Sequence, residues 1–495
     1  MKSALFLVLA CIASASARAH GFEERYDLPV PLAYVIAGAC TTVLLTFVVA
    51  VFFMRQSAPV STTADSVPTP DPTPSAEISS DSSSTSGNSK TLWIVRGVGW
   101  LLFALTLASA LWGSSDPLMN LAPTLVWIVW WVGLSFAVVL LGNVWPALDP
   151  WGTTFDVINA CAKRLGLASG LSLGWAWPAW LGAWPGAALL LAWCWLEVVY
   201  PIATAPFKLG CAALLWTTVN LGGMVCFGRD VWQRHADVFA LYFASLARMA
   251  PVRWSAIRPF VSLRSVGTGL INTPALRSAG QVGFVMAMLS TVLFDGLHSG
   301  AAWLVFEQGL KKVALRWMDM NGYFAGTAGL VAVWLVFLLA YALTCFVCAR
   351  LMAQSAQHKH GASSATQIAA LFAPTLIPIA AAYNIAHNFS NLLIQGQTIL
   401  QLLSDPFGRQ WNLFGTAKWY PDISIVDAKL TWYVAVIAIV LGHVVSIWLS
   451  HRVALRQGLS PRSTAMTTLP LTLLMMAYTA ISLLVIAEPM VTPAP

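Results

Sequence analysis

Four ionisable residues sit inside apolar runs: Asp295 and His298 in VGFVMAMLSTVLFDGLHSG, His387 in PTLIPIAAAYNIAHNFSNLLIQGQTILQ, and His443 in AIVLGHVVSIWLSHR. Asp295 and His298 stand at i and i+3, so a helix carries both on one face. Ionisable side chains at membrane depth are costly and mark functional positions. Three helices that each turn such a group toward a common cavity are how helix bundles build metal sites. A set of three or four His and carboxylate donors suits Zn, Mn or Fe and leaves a position for water, whose pKa a metal brings to about 7. Without a metal, the same groups make a general base oriented by a carboxylate. The plain alternative is that each His is a satisfied core residue.

The run around His387 carries more polarity than one histidine. Asn384, Asn388, Asn391 and Gln395 recur at helical spacing and form one stripe, with His387 beside it. Such a stripe is expected to face a protein interior or a watered cavity rather than lipid. It serves either as an interhelical hydrogen-bond seam or as part of a site, in which Tyr383, Asn388 and Asn391 would orient a substrate or a ligating histidine. Pro374 and Pro378 precede it and loosen the backbone. His20 is a separate candidate, since a free amino-terminal His chelates copper through its amine and ring nitrogen.

The elements that hold these residues are helices in a bilayer. Of 495 residues, 58% are hydrophobic and only 9% charged, with 24 Trp, whereas soluble domains carry roughly 25% charged residues. The fold class is therefore an all-α polytopic transmembrane helix bundle of about ten spans. These lie near 31–54, 92–112, 121–142, 183–200, 207–227, 279–299, 322–349, 366–398, 429–450 and 465–487. Residues 1–19 read as a cleavable signal peptide, with Lys2, an apolar run and Ala17-Arg18-Ala19. That makes His20 the mature terminus, on the periplasmic side of a bacterial inner membrane. Residues 20–54 give a short periplasmic segment and the first span, 55–90 a Ser/Thr/Pro-rich disordered cytoplasmic linker, and 91–495 the bundle. With this threading, 17 Lys and Arg fall on the cytoplasmic side and 8 outside, as the positive-inside rule requires. The net charge of +7 thus reflects the bilayer as partner, and no nucleic acid is implied.

Other features read as structural. Glu197, near the end of the fourth span, is expected to snorkel to the interface. Residues 153–167, 228–277 and 301–317 are expected to contribute amphipathic helices and a loop at the membrane surface, and His235 belongs to that surface. Cys345 and Cys348 lie in an apolar run, and the cysteines as a group argue against a periplasmic disulfide framework. Phosphate-loop, dinucleotide, nucleophile-elbow and zinc-protease motifs are missing.

HGFEERYDLPVPL, GNVWPALDPW, LFDGLHSG, YNIAHNFSNLLIQGQ and LGHVVSIWLSHRVAL together resemble a bacterial family of polytopic membrane proteins labelled fenitrothion hydrolase, over nearly the whole chain outside the linker. The resemblance implies hydrolysis of a phosphorothioate triester at its P–O–aryl bond, releasing a nitrophenol, with a second, similar membrane protein as partner subunit. It assigns no catalytic residues, so Asp295, His298, His387 and His443 rest on the residue argument. A small, neutral, hydrophobic substrate of this kind partitions into lipid and could reach a site opening to the outer leaflet. Two other readings use the same residues: a transporter or metal-handling channel with the stripe lining a pathway, and a haem-binding electron-transfer subunit with His387 and His443 as axial ligands.

Overall fold

A computed structural model of the chain describes residues 26–54, 86–167, 170–200, 205–253, 262–271, 276, 278–313, 323–354, 364–457 and 459–492. The signal peptide, His20, residues 55–85 of the linker and residues 314–317 lie outside the described residues. The protein is an all-α, multi-pass membrane bundle. Its spans are α1 (Leu32–Phe53), α2 (Ser86–Trp112) and α3 (Leu121–Leu141), then α5 (Trp184–Val199) and α6 (Pro206–Phe227) after the surface helix α4 (Pro150–Arg164). Two short helices follow, α7 (Arg229–His235) and α8 (Val238–Ala247), then α9 (Ala279–His298), α10 (Ala301–Val313), α11 (Phe324–Ala353), α12 (Ala365–Gln395), α13 (Ala428–Leu455) and α14 (Pro461–Met490). The last residues of the expected linker, 86–90, already belong to α2.

Nine of these helices are long and apolar enough to cross a bilayer, while α5 is shorter. The chain ends settle its status. Tyr26–Asp27 pairs as a two-residue parallel strand with Val491–Thr492, so both lie on one face of the bundle. An even number of crossings must separate them, which makes α5 the tenth. We call this the terminal face and the other the opposite face.

Local chemistry sets the helix boundaries. Ser278 and Ser364 each form a capping box, with Gln281 and Gln367, at the starts of α9 and α12. Asp427 caps α13 by accepting from Leu430 N at 2.6 Å. Gly142 and Gly228, at φ 89° and 87°, end α3 and α6 in a conformation that costs other residues more. Within α12, Pro374 and Pro378 coincide with a 3₁₀ turn over Ala373–Leu376, the local loosening their lost backbone donors require. The backbone also widens to a π-helix at Thr124–Gly133 of α3 and Trp195–Val199 of α5, which the sequence did not signal.

Lipid cannot drive helices together by the hydrophobic effect, so close packing must do it. Where α13 crosses α12, a Cβ on Gly442 would collide with Ala382 and lie 2.9 Å from the Pro378 carbonyl. Glycine there lets the two backbones touch. Between α3, α4, α5 and α8, Trp127, Trp130, Trp145, Trp151 and Trp193 pack around Phe239, with ring centroids 4.6 Å apart at Trp130–Phe239 and 4.9 Å at Trp127–Trp193. Over Val238–Ala247 this corrects the expectation of a surface segment at 228–277. The run VFALYFASLA has no charge to hold it at an interface, so α8 turns inward and buries Val238, Phe239, Tyr242, Phe243 and Leu246. His235 instead stacks on Trp177 at 5.1 Å.

Under the aromatic cluster, toward the opposite face, lies a set of buried charges. Asp156 on α4 is bridged by Arg96 of α2 at 3.1 Å and by Arg229 of α7. Asp149, the N-cap of α4, accepts from Trp151 N at 3.0 Å and Gln233 Nε2 at 2.8 Å. A Cβ on Gly152 would run into the Asp149 carboxylate and lie 2.8 Å from an Arg229 nitrogen, so glycine is what lets this cluster close.

Candidate functional site

Two helices are enclosed by the others: α9 and α12 are each 78% buried over their apolar stretches, against 17% for α11 and 22% for α1. Those two carry Asp295 and His387. His387 Nε2 lies 2.8 Å from Asp295 Oδ2, and the side chains keep 23% and 32% of their exposure. The pair is thus inside the protein yet partly accessible. Asp295 is about one turn from the end of α9 and His387 about two turns from the end of α12, which puts the pair in the half of the bundle nearer the terminal face.

Tyr383 lies one turn before His387, and its ring stacks on the imidazole at 6.4 Å. Gly296 sets the packing between them. A Cβ there would come 2.8 Å from Val485 Cγ1 of α14, 3.1 Å from the Tyr383 hydroxyl and 3.7 Å from His387 Nδ1. Glycine is therefore what lets α9 pack closely on α12 and α14 beside the pair. With Nε2–H donated to the carboxylate, Nδ1 keeps its lone pair.

A second carboxyl joins from α5. Glu197 Oε2 accepts from Trp131 Nε1 at 3.0 Å, and the carboxyl lies within electrostatic reach of Asp295. This overturns the expectation that Glu197 snorkels: α5 is too short to carry it out to the interface, and the indole of α3 holds it inside. The hydrogen bond also joins the two π-helical segments, a backbone irregularity that recurs at functional sites. Beneath it, Asn384 Nδ2 donates to the Tyr242 hydroxyl at 3.2 Å.

The other expected residues fall elsewhere. The His298 ring lies between Phe294 and Trp303, 5.5 Å from each. His443 is buried on α13, where Nδ1 lies 2.8 Å from the Ile439 carbonyl and the ring 5.8 Å from that of Tyr478. Its connection to His387 runs through Tyr478 and Tyr383, whose rings stack at 6.4 Å. Among the described residues, no three His, Cys, Asp or Glu side chains gather so as to hold a metal ion. Of the set Asp295, His298, His387 and His443, the structure brings only Asp295 and His387 together, and Tyr383 and Tyr478 lie between His387 and His443. The reason is rotational: sequence places each residue on an apolar helix, whereas packing angles decide which residues share a cavity.

The polar stripe divides. Asn384 is buried, Asn388 is half-buried, and Asn391 and Gln395 are exposed on the final turns of α12. The expectation that the whole stripe avoids the surface fails for its last two members. Glu197, Trp131 and Gly296 were missed as site residues. An acidic residue inside AWCWLEVVY was a usable signal for the first, whereas an indole donor and an absent side chain leave none. Compared with protein-family models, with curated proteins and with solved structures, the chain matches none.

Proposed function

We propose that the protein is a hydrolase embedded in a bacterial inner membrane, with its terminal face periplasmic. It would cleave the P–O–aryl bond of small, neutral, hydrophobic triesters of the phosphorothioate class. The observation that carries this reading is the His387–Asp295 pair, 2.8 Å apart on the two most enclosed helices with both side chains still partly exposed, beside the Tyr383 ring. The substrate class comes from the resemblance to fenitrothion hydrolases.

Water reaching the exposed part of the pair gives a proton to His387 Nδ1 while the Nε2–H stays hydrogen-bonded to Asp295. The oxygen attacks phosphorus, the P–O–aryl bond breaks with its electron pair on the aryl oxygen, and the imidazolium returns the proton to the leaving phenolate. Asp295 holds the ring and offsets the charge it gains. Asn391 lies one turn beyond His387 on the same side of α12, where a carboxamide can hydrogen-bond the substrate as it enters from the exposed end.

The test is nitrophenol release from fenitrothion by the full-length protein in detergent, beside His387→Gln. Positioned general bases contribute roughly 10²–10⁴-fold, so the variant should lose that much while eluting as folded protein, and a chelator should leave wild type unaffected. Loss on chelation with recovery on adding Zn, Mn or Fe would overturn the base mechanism. A folded but inactive wild type would overturn the substrate class.

A further inference from the structure

The two halves of the opposite face balance their charge differently. Arg96 and Arg229 share Asp156, with Asp149 alongside. From α8 onward, every connection on that face falls between Asp237 and Asp295, between Asp319 and Asp405, or between Asp427 and Glu488, and none of those stretches holds an Asp or Glu. They do hold arginines, three of which meet at one corner.

Arg264 reaches back to the end of α8, where its Nε and Nη2 donate to the Ala250 and Ala247 carbonyls, each at 2.8 Å. Its Nη1 lies against Gly269 of the short helix Thr268–Ile271, 2.5 Å from where a Cβ would stand. Two residues on, the Ile271 carbonyl accepts from Arg456 Nη1 at 2.9 Å. Arg452 is one turn before Arg456 on the same side of α13, its guanidinium over the Trp448 ring at 5.2 Å. Burial and the Arg452 charge hold the Arg456 pKa below its usual range. Carbonyls and a ring orient these guanidiniums without cancelling their charge.

The depth and the neighbours of the corner point to lipid. At 28 residues, α13 is about 42 Å long, the thickness of a bilayer with its headgroups, so its last turn lies among phosphates. Leu263 and Val266, on either side of Arg264, are 81% and 54% exposed, which suits acyl chains and not water. Guanidinium matches phosphate oxygens two at a time, and basic pockets between spans take anionic headgroups. We infer that this corner binds the phosphodiester headgroup of an anionic phospholipid, with Arg264, Arg452 and Arg456 around the phosphate and Leu263 and Val266 against the chains. The corner lies at the other end of the bundle from the His387–Asp295 pair and does not depend on what that pair does.

The experiment follows thermal unfolding of the full chain, stripped of lipid in an uncharged detergent, as phosphatidylglycerol, phosphatidylcholine or inorganic phosphate is added. A ligand of the native state raises the unfolding temperature by mass action. At about fivefold in affinity per arginine, phosphatidylglycerol should act at roughly 10²-fold lower concentration than phosphatidylcholine, and inorganic phosphate should not stabilise. Arg452→Gln combined with Arg456→Gln should shrink that preference roughly 25-fold. Lys163→Gln combined with Arg164→Gln, exposed on α4 at the same face, should leave it intact. Should the first double variant fail to elute as folded protein, Arg456→Gln alone, at an exposed position, should shrink the preference about fivefold. An equal response to both lipids, equal stabilisation by inorganic phosphate, an unchanged preference in the folded arginine variants, or an equal loss in the α4 variant overturns the inference.

Discussion

Asp149 and Asp295 are both carboxyls inside an apolar bundle, and the protein handles them in opposite ways. Asp149 is fully enclosed, accepts hydrogen bonds from Trp151 N and Gln233, and packs beside Arg229, which also bridges Asp156 to the Arg96 site. Burial works against the Arg229 charge, and Asp149 with Asp156 more than offset it, holding the guanidinium pKa above its usual value. Asp295 pairs with His387, has a second carboxyl nearby and stays partly exposed. A charge cluster that is closed and counter-charged acts as a clasp between helices. One that stays partly exposed retains the capacity to bind and move protons.

That contrast can be broken most forcefully by exchanging the symptoms of the two sites. Asp295→Asn should lower nitrophenol release by roughly 10²–10⁴-fold with little change in thermal unfolding of the detergent-purified protein. Arg229→Met should do the reverse, costing about 3–5 kcal/mol of stability by stranding the buried Asp149 carboxylate, with the folded fraction still active. Equal stability losses in both variants would mean that the Asp295–His387 pair is also a clasp. Gly296→Ala sharpens the point: its methyl group would meet Val485 Cγ1 at 2.8 Å and the Tyr383 hydroxyl at 3.1 Å, and the shift this forces beside the pair should cost about 10²-fold in the kcat of the folded fraction through displaced reactants.

Asp237 tests the clasp side through pH. It caps α8 from a fully buried position, accepting from Phe239 N and Ala240 N, and burial, with Asp149 adding to it, raises its pKa to about 7. A carboxyl whose folded pKa lies above its unfolded value stabilises fully at low pH and loses that contribution as pH rises toward the folded pKa. Stability should therefore fall by up to ~1.4 kcal/mol per unit between roughly pH 4 and 7. Asp237→Asn, which keeps the cap, should flatten that slope in unfolding curves recorded across the range. The smallest effect belongs to Asn391→Ala, since the side chain is exposed. It should raise KM by a factor of a few, about 1 kcal/mol for one lost hydrogen bond, with kcat and stability unchanged.

Much of this architecture is written locally. Apolar runs long enough for a bilayer, capping boxes at Ser278 and Ser364, and glycines at Gly142 and Gly228 specify where helices begin and end, because those preferences act within one turn. The four ionisable residues were legible as misfits in oily surroundings for the same reason. Which of them would meet was not. His298 slides between Phe294 and Trp303, and His443 faces Tyr478, because crossing angles and the close approach at Gly442 fix how each helix is rotated. Glu197 was misjudged because its fate depends on Trp131 and on the shortness of α5, both tertiary matters.

The sequence by itself therefore determined that this chain is a helical membrane bundle and that histidines and carboxyls lie within its apolar helices, since hydrophobicity and helix signals are properties of contiguous residues. Tertiary structure alone decided that Asp295 and His387 form the pair, that Tyr383 stacks beside it, and that Glu197 is held by Trp131. Those relations join residues far apart in the chain, and they depend on distances of a few ångströms that only helix packing sets.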